Sequence, residues 1–287
     1  MSAQSRRKQA PAACHAVVCA LEVHDGFRSR VSPFQHPLLG RPVLWHVVAA
    51  LLGADPAPAA IRVLHRADEP VALPDLPPIV EPMPVAPGEE QQRLRAAFAE
   101  PGVTLLLDGA AALLSPASVS RLIAAAANGV ALLAPAGSST RGVAVAGPGG
   151  VLAALEDPFE PAGALPLPPE SPGETLRVTD RHALSDAVAL LRDRLVRQHE
   201  ANGVTFLLPS TVLLDVGVRI GADTVIYPGA VLEGATVIGG ECVIGPYCRL
   251  SDASIGRGVE LGGWNYVHRT SVRNHAVIEP FARRGYE

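Results

Sequence analysis

Side chains able to do chemistry are sparse in this chain. Lys8 is its single lysine, every other long cationic side chain being arginine, so a mechanism that needs a lysine within a folded domain is excluded. Cys14, Cys19, Cys242 and Cys248 contain no CxxC pair and form no framework of a short secreted protein; reduced thiols are expected. Cys242 and Cys248 stand six residues apart and do not have the spacing of a zinc site. His24, His36 and His46 do not share a metal-binding spacing on one helix, while His268 and His275 have the chemistry of acyl-transfer bases but also suit solvated turns. Arg192, Arg194 and Arg197 read as a solvated helix face paired with acids such as Asp193.

Elements must place these groups. At roughly 150 residues per domain, 287 residues imply about two domains, and 27 prolines and 27 glycines point to many turns rather than a helical bundle. A net charge of −4 offers no general attraction for nucleic acid or anionic lipid, so neither is an expected partner. Residues 1–14 read as a disordered tail, and Met1 to Pro11 lead into no sustained apolar run of the kind a signal peptide has. Leu122–Ala136 is broken by Asn128 and Gly129 and falls short of the ~20 residues of a membrane span. The expectation is a soluble, cytoplasmic protein.

Over residues 15–180 short apolar runs alternate with helical periodicity, which predicts an α/β domain around a mostly parallel sheet. Strands are expected at Ala16–Leu21, Ile61–Leu64, Ile79–Val80, Val103–Leu107 and Val130–Leu133, and helices at Pro42–Leu52, Glu89–Ala99 and Pro116–Asn128, the last capped by Ser115. Gly142–Glu156 reads as a hairpin turning at Gly147-Pro148-Gly149-Gly150, followed by a Pro-rich connection from Pro158 to Gly173. Residues 181–203 then read as a linker helix and its stop, with Asp180 as N-cap and Asn202-Gly203 ending it.

Residues 204–287 change period. Aliphatic residues recur every six positions at Leu208, Leu214, Ile220, Ile226, Leu232, Ile238, Ile244 and Leu250; the phase then slips to Ile255, Leu261 and Val267, and again to Val272 and Ile278. Small residues follow four positions later, from Val212 through Cys242 and Cys248 to Ser254. A period of six fits neither a helix face nor plain strand alternation. It fits a three-sided prism of short parallel strands, a left-handed β-helix, in which each aliphatic residue points inward and stacks on its equivalent about three hexads on.

An α/β nucleotide-binding domain, a linker helix and a hexapeptide β-helix in that order resemble the sugar-1-phosphate nucleotidyltransferases, in particular the bifunctional N-acetylglucosamine-1-phosphate uridylyltransferase/glucosamine-1-phosphate acetyltransferase type. The resemblance is carried by Leu38-Leu39-Gly40-Arg41-Pro42-Val43-Leu44-Trp45-His46-Val47, by Leu113-Leu114-Ser115 with Arg121-Leu122, by Val178-Thr179-Asp180-Arg181, and by the turns Ile244-Gly245-Pro246-Tyr247 and Ile278-Glu279-Pro280-Phe281.

The resemblance implies a nucleotide or sugar nucleotide as ligand, Mg²⁺ as the cofactor of an active enzyme, and a homo-oligomer, a trimer, joined through the β-helix. It also implies a site, altered here. Gly26 and Arg28 correspond to a glycine and an arginine of the family's phosphate loop, but Phe34 stands where its lysine belongs, and Glu22 and Asp25 add like charge. Either Arg28, Arg30 and Arg41 replace that lysine, or the loop is ordinary surface. Gly88 opens the base-reading segment, followed by Glu89 and Glu90. Asp108 and Asp180 are the candidate metal ligands, Asp108 one residue early and Asp180 beside Thr179, which replaces the family's asparagine. Gly142 and Glu156 correspond to sugar-contacting positions. Three functions follow: NTP and a sugar 1-phosphate giving an NDP-sugar and pyrophosphate, a non-catalytic binding or assembly subunit, and, more weakly, acyl transfer on the β-helix.

Overall fold

The computed structural model describes residues 14–22, 25–98, 102–134 and 141–285. The expected tail therefore lies outside the described residues apart from Cys14, as do Lys8 and His24. By internal contacts the chain divides into two compact units, the described residues up to His36 with Pro42–Leu184, and Pro37–Arg41 with the residues from Ser185 onward.

The first unit holds a seven-stranded sheet. Its elements are β1 (Cys14–Ala20), α1 (Val43–Leu52), β2 (Ala60–Arg66), β3 (Val80–Val85), α2 (Glu90–Ala97), β4 (Val103–Asp108), α3 (Pro116–Ala126), β5 (Ala131–Leu133), β6 (Ala144–Pro148), α4 (Gly149–Ala153) and β7 (Leu165–Leu167). In space the strands run β3-β2-β1-β4-β6-β5-β7, with β6 antiparallel to both neighbours and the other pairs parallel. Alternation along β1 divides the core. Ala16, Val18 and Ala20 face Leu44, Val47, Leu51, Val119 and Leu122 of α1 and α3, whereas Val17 faces the opposite layer with Ala97, Phe98 and Leu152. Helices on both faces explain why the central strands are near-continuous apolar runs. Ser115 caps α3, its side-chain oxygen accepting from the Ser118 N–H at 3.1 Å.

Three sequence expectations are corrected. Gly147-Pro148-Gly149-Gly150 does not turn a hairpin; it ends β6 and starts α4, because β6 has its partners in β4 and β5. β3 extends to Val85 through Pro82 and Pro84, and β7 forms around Pro166 inside the Pro-rich connection. Both are edge strands, where proline's missing N–H costs no ladder bond.

A 21-residue helix, α5 (Arg181–Ala201), follows. Beyond it three parallel sheets of five, five and four short strands wind as a β-helix, with register Ile220↔Ile238↔Ile255↔Val272 on one face and Ile226↔Ile244↔Leu261↔Ile278 on another. Both slips of phase are absorbed without breaking the inward column. Cys242 and Cys248 are free thiols inside the prism, filling two of the small positions.

The column differs from expectation at two places. Phe206, paired with Ile226, takes the first inward position, and Leu208 is 48% exposed because the 3-10 turn Pro209–Thr211 intervenes. After the slip, Ala253 rather than Ser254 lies inside. Residues Pro37–Arg41 count with this unit: the Leu39 carbonyl accepts from the Val216 N–H at 3.1 Å, and at Gly40 (φ +85°) a Cβ would come within 2.6 Å of the Asp215 carboxyl. Among the described residues no helix is long and apolar enough to cross a membrane.

Removing a stacked side chain leaves a cavity that short, covalently staggered strands cannot close. Ile244→Ala should cost about 3 kcal/mol in denaturant unfolding of the β-helix, within the range for buried Ile→Ala changes, while Leu208→Ala should stay within about 0.5 kcal/mol.

Candidate functional site

A cleft of about 520 Å³ opens at the carboxyl end of β1, lined by Cys19, Leu21, Glu22, Glu90, Gln91, Leu94, Arg141, Glu156, Asp157, Pro158 and Phe159. This is where ligands bind in open α/β sheets. Four lining residues are acidic and one is basic, so the wall itself carries excess negative charge.

Five side chains are tied into one chain of ion pairs at this end of the sheet. Asp108, the last residue of β4 and only 4% exposed, accepts from the Ala110 N–H at 2.8 Å through Oδ1 and from Arg177 Nε at 2.5 Å through Oδ2. Arg177 is delivered by the segment before α5, which hydrogen-bonds to the strand end through the Val178 N–H and the Ala110 carbonyl at 2.9 Å. Its other arm donates to Glu22 Oε2. Glu22 Oε1 accepts from Arg141 at 2.6 Å, and Arg141 also donates to Asp157 at 2.9 Å and lies over the Phe159 ring, 5.0 Å from its centroid. Asp157 is held in turn by the Phe159 N–H at 2.8 Å.

Burial pushes the Asp108 carboxyl above its ordinary value, and the Arg177 guanidinium and the Ala110 N–H oppose that rise. Burial, reinforced by the Asp108 charge, pushes the neighbouring Cys19 thiol up to about 12, so it is a neutral wall of the cleft rather than a nucleophile. At the start of α2, hydrogen bonds from the Glu90 and Gly88 backbone hold the Glu90 carboxyl below its usual range.

The expected site residues separate. Glu156 is exposed and lines the cleft. Gly88 has φ +86° at the turn before α2 and nothing near its Cβ position; its role is the turn. Gly142 is required by packing, since a Cβ there would meet Leu132 Cδ1 at 2.0 Å while its N–H bonds the Phe159 carbonyl at 2.8 Å. Gly26 sits in a short 3-10 turn against Asp180, whose Cβ would be 2.8 Å from an added Cβ. Arg28 (φ 45°) and Arg30 are exposed and do not line the cleft, and Arg41 belongs to the other unit. Among the described residues the cationic groups tied to the cleft wall are Arg141, which lines it, and Arg177, which does not line it but donates to Glu22; neither is an expected site residue, Arg141 standing one position before Gly142 and Arg177 two before Thr179.

The two candidate metal ligands have other duties. Both oxygens of Asp108 are engaged, one by a guanidinium, and Asp180 caps α5 through the Ala183 N–H at 2.8 Å. Among the described residues no group of three or more His, Cys, Asp or Glu is placed to hold a metal ion. These residues do not fit Mg²⁺, because a guanidinium already stands against the carboxylate that would bind it.

Comparison with known proteins gives a partial match. Residues 217–252 match the family described as bacterial transferase hexapeptide (six repeats). The chain is 45% identical over 109 residues to the "Bifunctional protein GlmU" of Geobacillus sp. (strain WCH70) and 43% identical over 109 residues to that of Alkaliphilus oremlandii, in each case 38% of this chain and 24% of the relative. The chain thus matches about a quarter of the length of these curated relatives. Among solved structures, a nucleotidyl transferase from Methanothermobacter thermautotroptrophicus aligns at 18% identity with a TM-score of 0.49 over 65% of this chain and 99% of that one. A 4-diphosphocytidyl-2C-methyl-D-erythritol synthase aligns at 18% with a TM-score of 0.48 over 64% and 100%.

Because Asp108 is buried against Arg177, removing one partner should cost about 3 kcal/mol. Burial holds the Asp108 proton above its ordinary range in the native state and Arg177 opposes that rise, so removing Arg177 lifts it further, and the penalty of Arg177→Gln grows as pH rises through the range in which Asp108 is ionised in wild type but still protonated in the variant. Denaturant unfolding should show a larger loss at pH 8 than at pH 5, and Asp108→Asn in the same chain should recover most of it.

Proposed function

We propose that this protein is a sugar-1-phosphate nucleotidyltransferase-like protein that keeps the cleft for a nucleotide or nucleotide sugar and has lost the transfer reaction, acting as a binding or assembly subunit. The resemblance of its segments to that family, the hexapeptide match over residues 217–252 and the GlmU relatives support the first half. The observation that carries the second is Arg177 seated on Asp108.

In-line attack on an α-phosphorus concentrates charge on phosphoryl oxygens and on leaving pyrophosphate, and catalysis is almost wholly positioning and charge neutralisation. Here the guanidiniums of Arg141 and Arg177 are already neutralised by Asp108, Glu22 and Asp157, and Glu90 and Glu156 add two further acidic side chains to the wall. A triphosphate meets repulsion where an enzyme of this kind would offer attraction. A nucleotide sugar, with fewer charges and a sugar able to hydrogen-bond Glu156, suits the same wall better. Gly26, Arg28, Arg30 and Gly88 then serve backbone turns rather than the ligand, and the β-helix makes the oligomer, a trimer in this reading.

The test is incubation of the purified chain with Mg²⁺, each NTP and N-acetylglucosamine 1-phosphate, following pyrophosphate release, beside calorimetric titration with UTP and with UDP-N-acetylglucosamine. The expected result is no release above background, with heat from the nucleotide sugar. Turnover abolished by Asp108→Asn would overturn the loss of transfer, and silence toward every nucleotide sugar would overturn the binding role.

A further inference from the structure

We propose that Arg141 and Arg177 form a clamp for one phosphate group of the ligand, that the clamp works without a divalent cation, and that Glu22 is its built-in competitor. The proposal rests on the reading of the cleft given above and names how its ligand is held.

Two guanidiniums from segments far apart in sequence converge on one carboxylate, Arg141 on Oε1 and Arg177 on Oε2 of Glu22. A carboxylate bridging two guanidiniums presents its oxygens as two oxygens of a phosphate would, and planar guanidiniums match both. Each arginine has a second anchor that does not depend on Glu22. Asp157 and the Phe159 ring hold Arg141, and Asp108 holds Arg177. The clamp therefore keeps its orientation when Glu22 leaves, which is the preorganisation an anion site needs.

Exposure decides which carboxylate yields. The Asp108 side chain is 6% exposed and the Glu22 side chain 43%. An exposed pair is held weakly, whereas freeing Asp108 would strand a buried charge. Glu22 and Arg141 both line the cleft, so a phosphate ester entering it reaches the clamp by displacing Glu22. The positive charge that Mg²⁺ would lend is supplied by Arg177. The recognised chemistry is a phosphate group, whether carried by a nucleotide sugar, by a sugar phosphate or as a free phosphate anion.

Calorimetric titration of the full chain with pyrophosphate, N-acetylglucosamine 1-phosphate and UDP-N-acetylglucosamine, each in EDTA and in excess Mg²⁺, separates these sources. Wild type, Glu22→Gln, Glu22→Ala and Arg141→Gln are compared, with circular dichroism to confirm that each is folded. At least one probe should bind, with less than twofold change between EDTA and Mg²⁺. Both Glu22 variants should tighten it at least tenfold, and Arg141→Gln should weaken it at least tenfold. Binding that requires Mg²⁺, Glu22 variants that bind no tighter than wild type, or no binding of any probe to Glu22→Gln would overturn the clamp. If pyrophosphate and the sugar phosphate respond to Glu22 while the nucleotide sugar does not bind, the clamp stands and the nucleotide reading falls. If the nucleotide sugar binds without responding to Glu22, the reverse holds.

Discussion

The pairing of Arg177 with Asp108 sets the character of the whole α/β unit. A carboxylate at the buried end of a central strand cannot remain charged without a partner, because desolvation costs several kcal/mol per ion. Two partners are chemically available, a metal ion or a cationic side chain. In this chain the partner is covalently attached, and the backbone bond between Val178 and Ala110 brings it in. Once Arg177 is there, Glu22 is drawn to its other arm, Arg141 to Glu22, and Asp157 to Arg141. The sheet end becomes a closed electrostatic system rather than one awaiting a cation.

This arrangement explains the sequence's mixed character. Leu44 and Val47 of α1 and Leu122 of α3, which lie in the segments that carry the sequence resemblance, are buried in the core. Glu22 in the loop after β1, unfavourable beside phosphates, is satisfied by two arginines. Asp108, Glu22 and Asp157 thus form one compensated set with Arg177 and Arg141.

The β-helix was legible from sequence because inward stacking imposes a fixed spacing that no other element shares, and Ile220, Ile238 and Ile255 share one dry interior as that spacing requires. Its first coil was not, since the turn at Pro209–Thr211 breaks the period and moves the inward role to Phe206. The central strands were legible as apolar runs, whereas β3 and β7 were hidden by prolines that only edge strands tolerate. The ion-pair chain was not readable at all. Glu22 and Arg177 are 155 residues apart, and Glu22 and Arg141 119, so no local pattern links them. Motif comparison pointed to Gly142 and Thr179, and their neighbours proved to carry the charge.

With Arg177 on Asp108, the end of the sheet should be closed to divalent cations. Titrating the full chain with Mn²⁺ and following the free-ion signal by electron paramagnetic resonance tests this directly. Wild type should leave the Mn²⁺ signal at its protein-free intensity at equimolar concentrations. A stoichiometric site in wild type that disappears in Asp108→Asn would contradict it.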